Sequence, residues 1–144
     1  MSYTSVNLGL DTRPRKFTVT YSQLATAATS NFIQLFSLPA GAVITLVKLK
    51  HSIGFSASGQ TSYTLSIGTV APAQSPSLTK YLPAYQVDVN ANPVSATTFV
   101  VNNVVGSENH TSAVPIYIAA TSNVNLNLAT QGSVDVWVWA TTAI

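Results

Sequence analysis

The chain has 144 residues, of which 47% are hydrophobic, and its six Lys or Arg against four Asp or Glu leave a formal net charge of +2. Its longest aliphatic runs, such as Ala42-Val43-Ile44 and Val104-Val105, fall far short of the ~20 apolar residues of a membrane helix, and six basic residues are too few for the clustered footprint that displaces counterions from a nucleic acid. Charged residues make up 7% and cysteine is absent, so the surface is built mostly of Thr, Ser, Asn, Ala and Val; this points to faces covered by neighbours and to stability from packing or partners instead of disulfides.

The first residues, Met1-Ser2-Tyr3-Thr4-Ser5-Val6, lack the basic, apolar and small-residue regions of a secretory signal, so synthesis in the cytoplasm is expected. Residues 1–16 show no clear period and end in Asp11-Thr12-Arg13-Pro14-Arg15-Lys16, which holds three of the six basic residues. They read as an N-terminal arm or extended lead-in to a β-sandwich domain over 17–144. Beyond the arm, β-branched and aromatic runs alternate with Gly, Pro, Ser and Asn clusters, which predicts strands over 17–21, 31–38, 42–55, 62–69, 81–89, 97–105, 114–121 and 134–142, with a short extra pairing at 124–128.

Several of these runs alternate with period two. Tyr63, Leu65 and Ile67 share one face, as do Val114, Ile116 and Ile118, so both strands are expected to be half buried. In the last strand Val134, Val136 and Val138 oppose Asp135, Trp137 and Trp139; with large apolar groups on both faces it is expected to be central or covered by a partner. Leu38-Pro39-Ala40-Gly41 reads as a tight turn, Ser56-Ala57-Ser58-Gly59 as a short flexible hairpin, and 70–79 as a loop. Pro83 and Pro115 assign their strands to sheet edges or bulges. About eight strands in two antiparallel sheets favour a jelly roll over an immunoglobulin-like sandwich or another Greek key.

The chemistry-bearing residues are few. His51 follows Lys48-Leu49-Lys50 and reads as a strand-end side chain bonded to backbone; His110, two positions from Glu108, lies in a polar stretch and offers too few ligands for a closed metal site. Asp11, Asp88, Glu108 and Asp135 are widely spaced, with no local pair suited to glycoside hydrolysis. Neither catalysis, nor a cofactor, nor a metal is expected. Two features point to binding. Arg13, Arg15 and Lys16 form either a basic tether to a neighbouring subunit or acidic surface, or an ordinary solvated terminus. Trp137 and Trp139, with Tyr81 and Tyr85, form either an aromatic platform for sugars or partners, or core packing.

Leu38-Pro39-Ala40-Gly41-Ala42-Val43-Ile44 leading into Lys48-Leu49-Lys50-His51, then Thr64-Leu65-Ser66-Ile67-Gly68-Thr69, Gly106-Ser107-Glu108-Asn109-His110 and Gln131-Gly132-Ser133-Val134-Asp135-Val136-Trp137-Val138 resemble, in style and order over about residues 38–140, the jelly-roll proteins that decorate or cement the capsids of tailed bacteriophages. The resemblance implies a sandwich that assembles, often as a trimer, over junctions between major capsid subunits and helps the shell resist internal DNA pressure. It brings no catalytic residue or cofactor. Expected partners are the major capsid protein or other virion proteins and further copies of the chain, with neither nucleic acid nor membrane, at the capsid surface after synthesis in the host cytoplasm. A carbohydrate- or receptor-binding module of a head fibre or tail component is the alternative.

Overall fold

The structure is a computed structural model that describes residues 14–70, 77–91, 97–101 and 111–141, with side chains described outside 97–101 and 141. Arg13, Asp11, Glu108 and His110 lie outside the described residues, as does the end of the strand expected over 97–105.

Eight strands follow in chain order: β1 (Arg15–Thr20), β2 (Ser30–Leu38), β3 (Val43–Ala57), β4 (Tyr63–Thr69), β5 (Ser77–Gln86), β6 (Thr97–Val101), β7 (Val114–Ser122) and β8 (Ala129–Thr141). They form two four-stranded sheets, the first ordered β1-β8-β3-β6 and the second β2-β7-β4-β5, antiparallel throughout. The pairs β1·β8, β2·β7, β3·β6 and β4·β5 are those of a single long antiparallel ribbon folded back on itself. Rolling that ribbon places alternate pairs in opposite sheets, and the contacts β3·β8 and β4·β7 then close each sheet. This is the jelly-roll order.

The core lies between the sheets and follows the alternation. Tyr63, Leu65 and Ile67 from β4, Ile116 and Ile118 from β7, and Val134 and Val136 from β8 are all fully enclosed. Each such aliphatic side chain stabilises the fold by about 1.5–3 kcal/mol through burial. The expectation for the last strand is met: β8 is central, paired to β1 on one side and β3 on the other. Pro83 falls on β5, an edge strand. Pro115 falls on β7, which is central, yet the β4 ladder ends at the Gly68 and Tyr117 pair, so Pro115 faces only β2 and withdraws no bond from β4.

Several local expectations need correction. β5 begins at Ser77, inside the loop expected over 70–79. Arg15 and Lys16, expected within the arm, belong to β1 and pair with Val138 and Trp137, while residues 1–13 lie outside the described residues. Tyr21 leaves the strand and opens a one-turn helix, α1 (Tyr21–Leu24); the Gln23 Oε1 atom accepts the Thr20 N–H at 2.8 Å, which favours helical entry at this point. The 124–128 segment is a 3-10 turn (Leu126–Leu128) instead of a pairing strand, and it buries Leu126. Finally, Ser56–Gly59 is no hairpin, since β3 and β4 belong to different sheets. The crossing is held by the Gln60 N–H on the Ala57 carbonyl at 3.1 Å and by Asn123, whose amide oxygen accepts from the Thr61 and Ser62 N–H groups.

Candidate functional site

The first sheet concentrates charge on its outer surface. Register sets Lys16 of β1, Trp137 of β8 and Lys48 of β3 side by side in one row, and Thr18, Asp135 and Lys50 in the next. Period-two alternation turns all six away from the core, because their neighbours Val19, Val47, Leu49, Val134, Val136 and Val138 are buried. Trp139 extends the face beside Leu46. Lys16 is exposed, while Lys48, Lys50, Trp137 and Trp139 are half buried.

The Lys16 and Lys48 ammonium groups lie over the Trp137 ring, 5.5 and 5.2 Å from its centroid. Since β1 and β3 flank β8, the two cations approach the indole from opposite sides, each attracted to its negative π-face. Asp135 is committed elsewhere: Oδ1 accepts from the Thr18 hydroxyl at 2.7 Å and Oδ2 from the Ser52 hydroxyl at 3.4 Å. The outcome is a face with two ammoniums at one indole and a third lysine in the next row, opposite a single carboxylate that two hydroxyls bond.

The remaining candidates go elsewhere. Arg15, next to Lys16 in sequence, takes the opposite side of β1, its guanidinium 5.6 Å from the Phe17 ring and 5.0 Å from that of Phe36. Those two rings stack at 5.4 Å, joining the two sheets. Alternation therefore turns Arg15 and Lys16 of the expected basic tether to opposite sides of β1, and Arg13 lies outside the described residues. Tyr81 is 1% exposed, and it sits with Tyr85 on β5 of the second sheet, so the aromatic platform joining Tyr81 and Tyr85 to the two tryptophans does not form. Lys48 and Lys50 were not singled out from the sequence as contact residues. Their signal is alternation in Val47-Lys48-Leu49-Lys50, which becomes useful once β3 is known to lie beside β8.

His51 is enclosed in the core, and neither ring nitrogen has a hydrogen-bond partner among the described residues. It is neither a strand-end group nor accessible as a base. Its ring meets that of Tyr85 edge-on at 6.4 Å. Burial lowers its pKa below the usual 6.5, with the Val87 carbonyl opposing this weakly without closing a bond of ordinary geometry.

A buried polar knot closes one end of the sandwich. Asp88, fully enclosed, accepts the Asn90 and Ala91 N–H groups on Oδ2, each at 2.9 Å, and the Gln60 amide on Oδ1. The same Gln60 amide donates to the Phe55 carbonyl at 2.8 Å. Gln86 Oε1 accepts from Tyr63 N–H and Asp88 N–H, at 2.8 and 3.1 Å. All these bonds are internal, so this acid has a structural part. Burial likewise raises the pKa of the nearby Tyr63 phenol.

No protein-family model and no curated protein matches the chain. Among solved structures, it is similar in fold to a chain of the cyanophage Pam1 capsid asymmetric unit, at 18% sequence identity with a TM-score of 0.54 over 92% of this chain and 89% of that one. The likeness at this identity is one of fold, and the nearly equal shares mean that the two chains are close in length.

Proposed function

We propose that this chain is a structural protein of a tailed-phage virion, a capsid cement or decoration protein that seats on major capsid subunits and stabilises the head. The observation that carries the reading is the near end-to-end likeness in fold to a chain of similar length from a phage capsid asymmetric unit. The scarcity of charge agrees with it, since 7% charged residues suit a protein held among neighbours better than one dispersed alone. Its work is non-enzymatic: it buries apolar and hydroxyl-rich surface against further copies of itself, a trimer being favoured, and against the shell. The site of action is the outer surface of the capsid, reached after synthesis in the host cytoplasm.

A sugar-binding role loses support from the site geometry, because Tyr81 is buried and both faces of Trp137 are taken by lysines. The test is light scattering coupled to gel filtration, followed by co-sedimentation with intact particles of the virus that encodes the chain. The expected outcome is a discrete trimer that joins particles and raises the temperature at which they release DNA. A monomer that stays in the supernatant would overturn the proposal.

A further inference from the structure

The outer face of the first sheet carries three lysines against one carboxylate, a net positive charge. We infer that this face docks onto an acidic protein surface, with Asp or Glu carboxylates of the partner engaging Lys16, Lys48 and Lys50. The inference rests on the assembly role proposed above and adds the chemistry of the partner.

Three observations select this occupant. Of the six basic residues in the chain, these three share one sheet face, and the one carboxylate among them is occupied by the Thr18 and Ser52 hydroxyls. Lys16 and Lys48 are separated by a single intervening strand, so their Cα atoms lie about 10 Å apart, a span that two carboxylates about two turns apart on a helix or on alternate strands of a sheet can match. The indole between them is sandwiched by the ammoniums, so it is unavailable for sugar stacking; instead it holds two flexible side chains in place and reduces the ordering cost of docking. Charges arranged in this way contribute orientation and on-rate, and their effect weakens with salt.

The test uses the full chain and immobilised poly-L-glutamate at about 0.1 M salt, where the screening length is about 10 Å, with heparin and neutral dextran surfaces in parallel. Wild type is expected to bind poly-L-glutamate, and the Lys16→Gln, Lys48→Gln double variant to bind about tenfold more weakly, as the loss of two solvent-facing ion pairs, one at the half-buried Lys48, implies. Lys80→Gln, on the second sheet, is expected to retain binding. Lys50→Gln lies outside the indole stack, so it reports independently if the double variant melts early. Equal binding by wild type and the lysine variants would overturn the inference, and so would preference for heparin, which would make an anionic glycan the occupant. Particle co-sedimentation separates the two proposals. A double variant that joins particles as well as wild type does would overturn docking by this face and leave the virion role standing. Wild type that ignores particles would end the virion role, while poly-L-glutamate still decides the face.

Discussion

At the scale of single residues, two positions carry more consequence than their size suggests. Gly132 has φ 146, and a Cβ placed there would lie 2.4 Å from the Phe55 ring, which is itself packed on Tyr63 at 4.5 Å. Gly132→Ala is therefore expected to destabilise the fold by about 2–4 kcal/mol, combining overpacking with an unfavourable backbone region. Adding Phe55→Leu should return part of that loss, a coupling measurable by urea denaturation of the four members of the cycle. His51 makes a prediction of opposite sign. Its folded-state pKa is lowered, so the unfolded chain binds the extra proton first. Stability should accordingly fall as pH drops below about 6.5 and level off once the folded-state pKa is passed. His51→Phe should remove that slope, and because it also removes two unpartnered buried nitrogens it should stabilise the protein at neutral pH by about 1 kcal/mol. Denaturation midpoints measured from pH 7.5 to 5 check both parts; an unchanged slope in the variant would place the acid sensitivity elsewhere.

At the scale of elements, the strands were legible wherever alternation was clean. Tyr63-Thr64-Leu65-Ser66-Ile67 and Val134 to Trp139 announced their conformation, because side chains in a strand alternate whatever the partner is. The half burial expected of the first is corrected, since Ser66 is buried as well as Tyr63, Leu65 and Ile67. In the second, with large groups on both faces, only the structure shows the valines to be the inner set. The beginning of β8 was not legible: Ala129-Thr130-Gln131-Gly132-Ser133 has no apolar period, and it is drawn into the ladder by the far end of the 15-residue β3, through several register shifts. The candidate site was legible only in part. Trp137, Trp139 and Lys16 do share a face, but Tyr81 in sequence looks like any strand aromatic and is buried. The partnership of Lys48 with Trp137 depends on which strands are neighbours, which no local pattern encodes. The same long-range origin explains the polar knot, where Gln60, Gln86 and Asp88 join the end of β3, the start of β4 and the segment after β5. Asp88→Ala would remove a fully enclosed carboxylate that accepts from the Asn90 and Ala91 N–H groups and from the Gln60 amide. The expected cost is about 3 kcal/mol, seen as a lower urea midpoint with an unchanged slope.

At the scale of the whole molecule, the rolled ribbon makes the sandwich depend on its last strand. β8 pairs with both β1 and β3, so without it β1 has no sheet neighbour and the inner valines of the first sheet are lost together. A chain truncated before Ala129 is expected to show no cooperative thermal transition by circular dichroism; a sharp transition would mean that the second sheet folds independently. The same pairing has a temporal side. Thr18 of β1 meets Asp135 of β8 across 117 residues of sequence, and ribosomes add about 5–20 residues per second. The first strand therefore emerges on the order of ten seconds before its partner exists. During that interval its unpaired edge, and that of β3, are open to any other nascent copy, so polysome density and translation speed, as much as sequence, will govern how much of this protein is recovered folded.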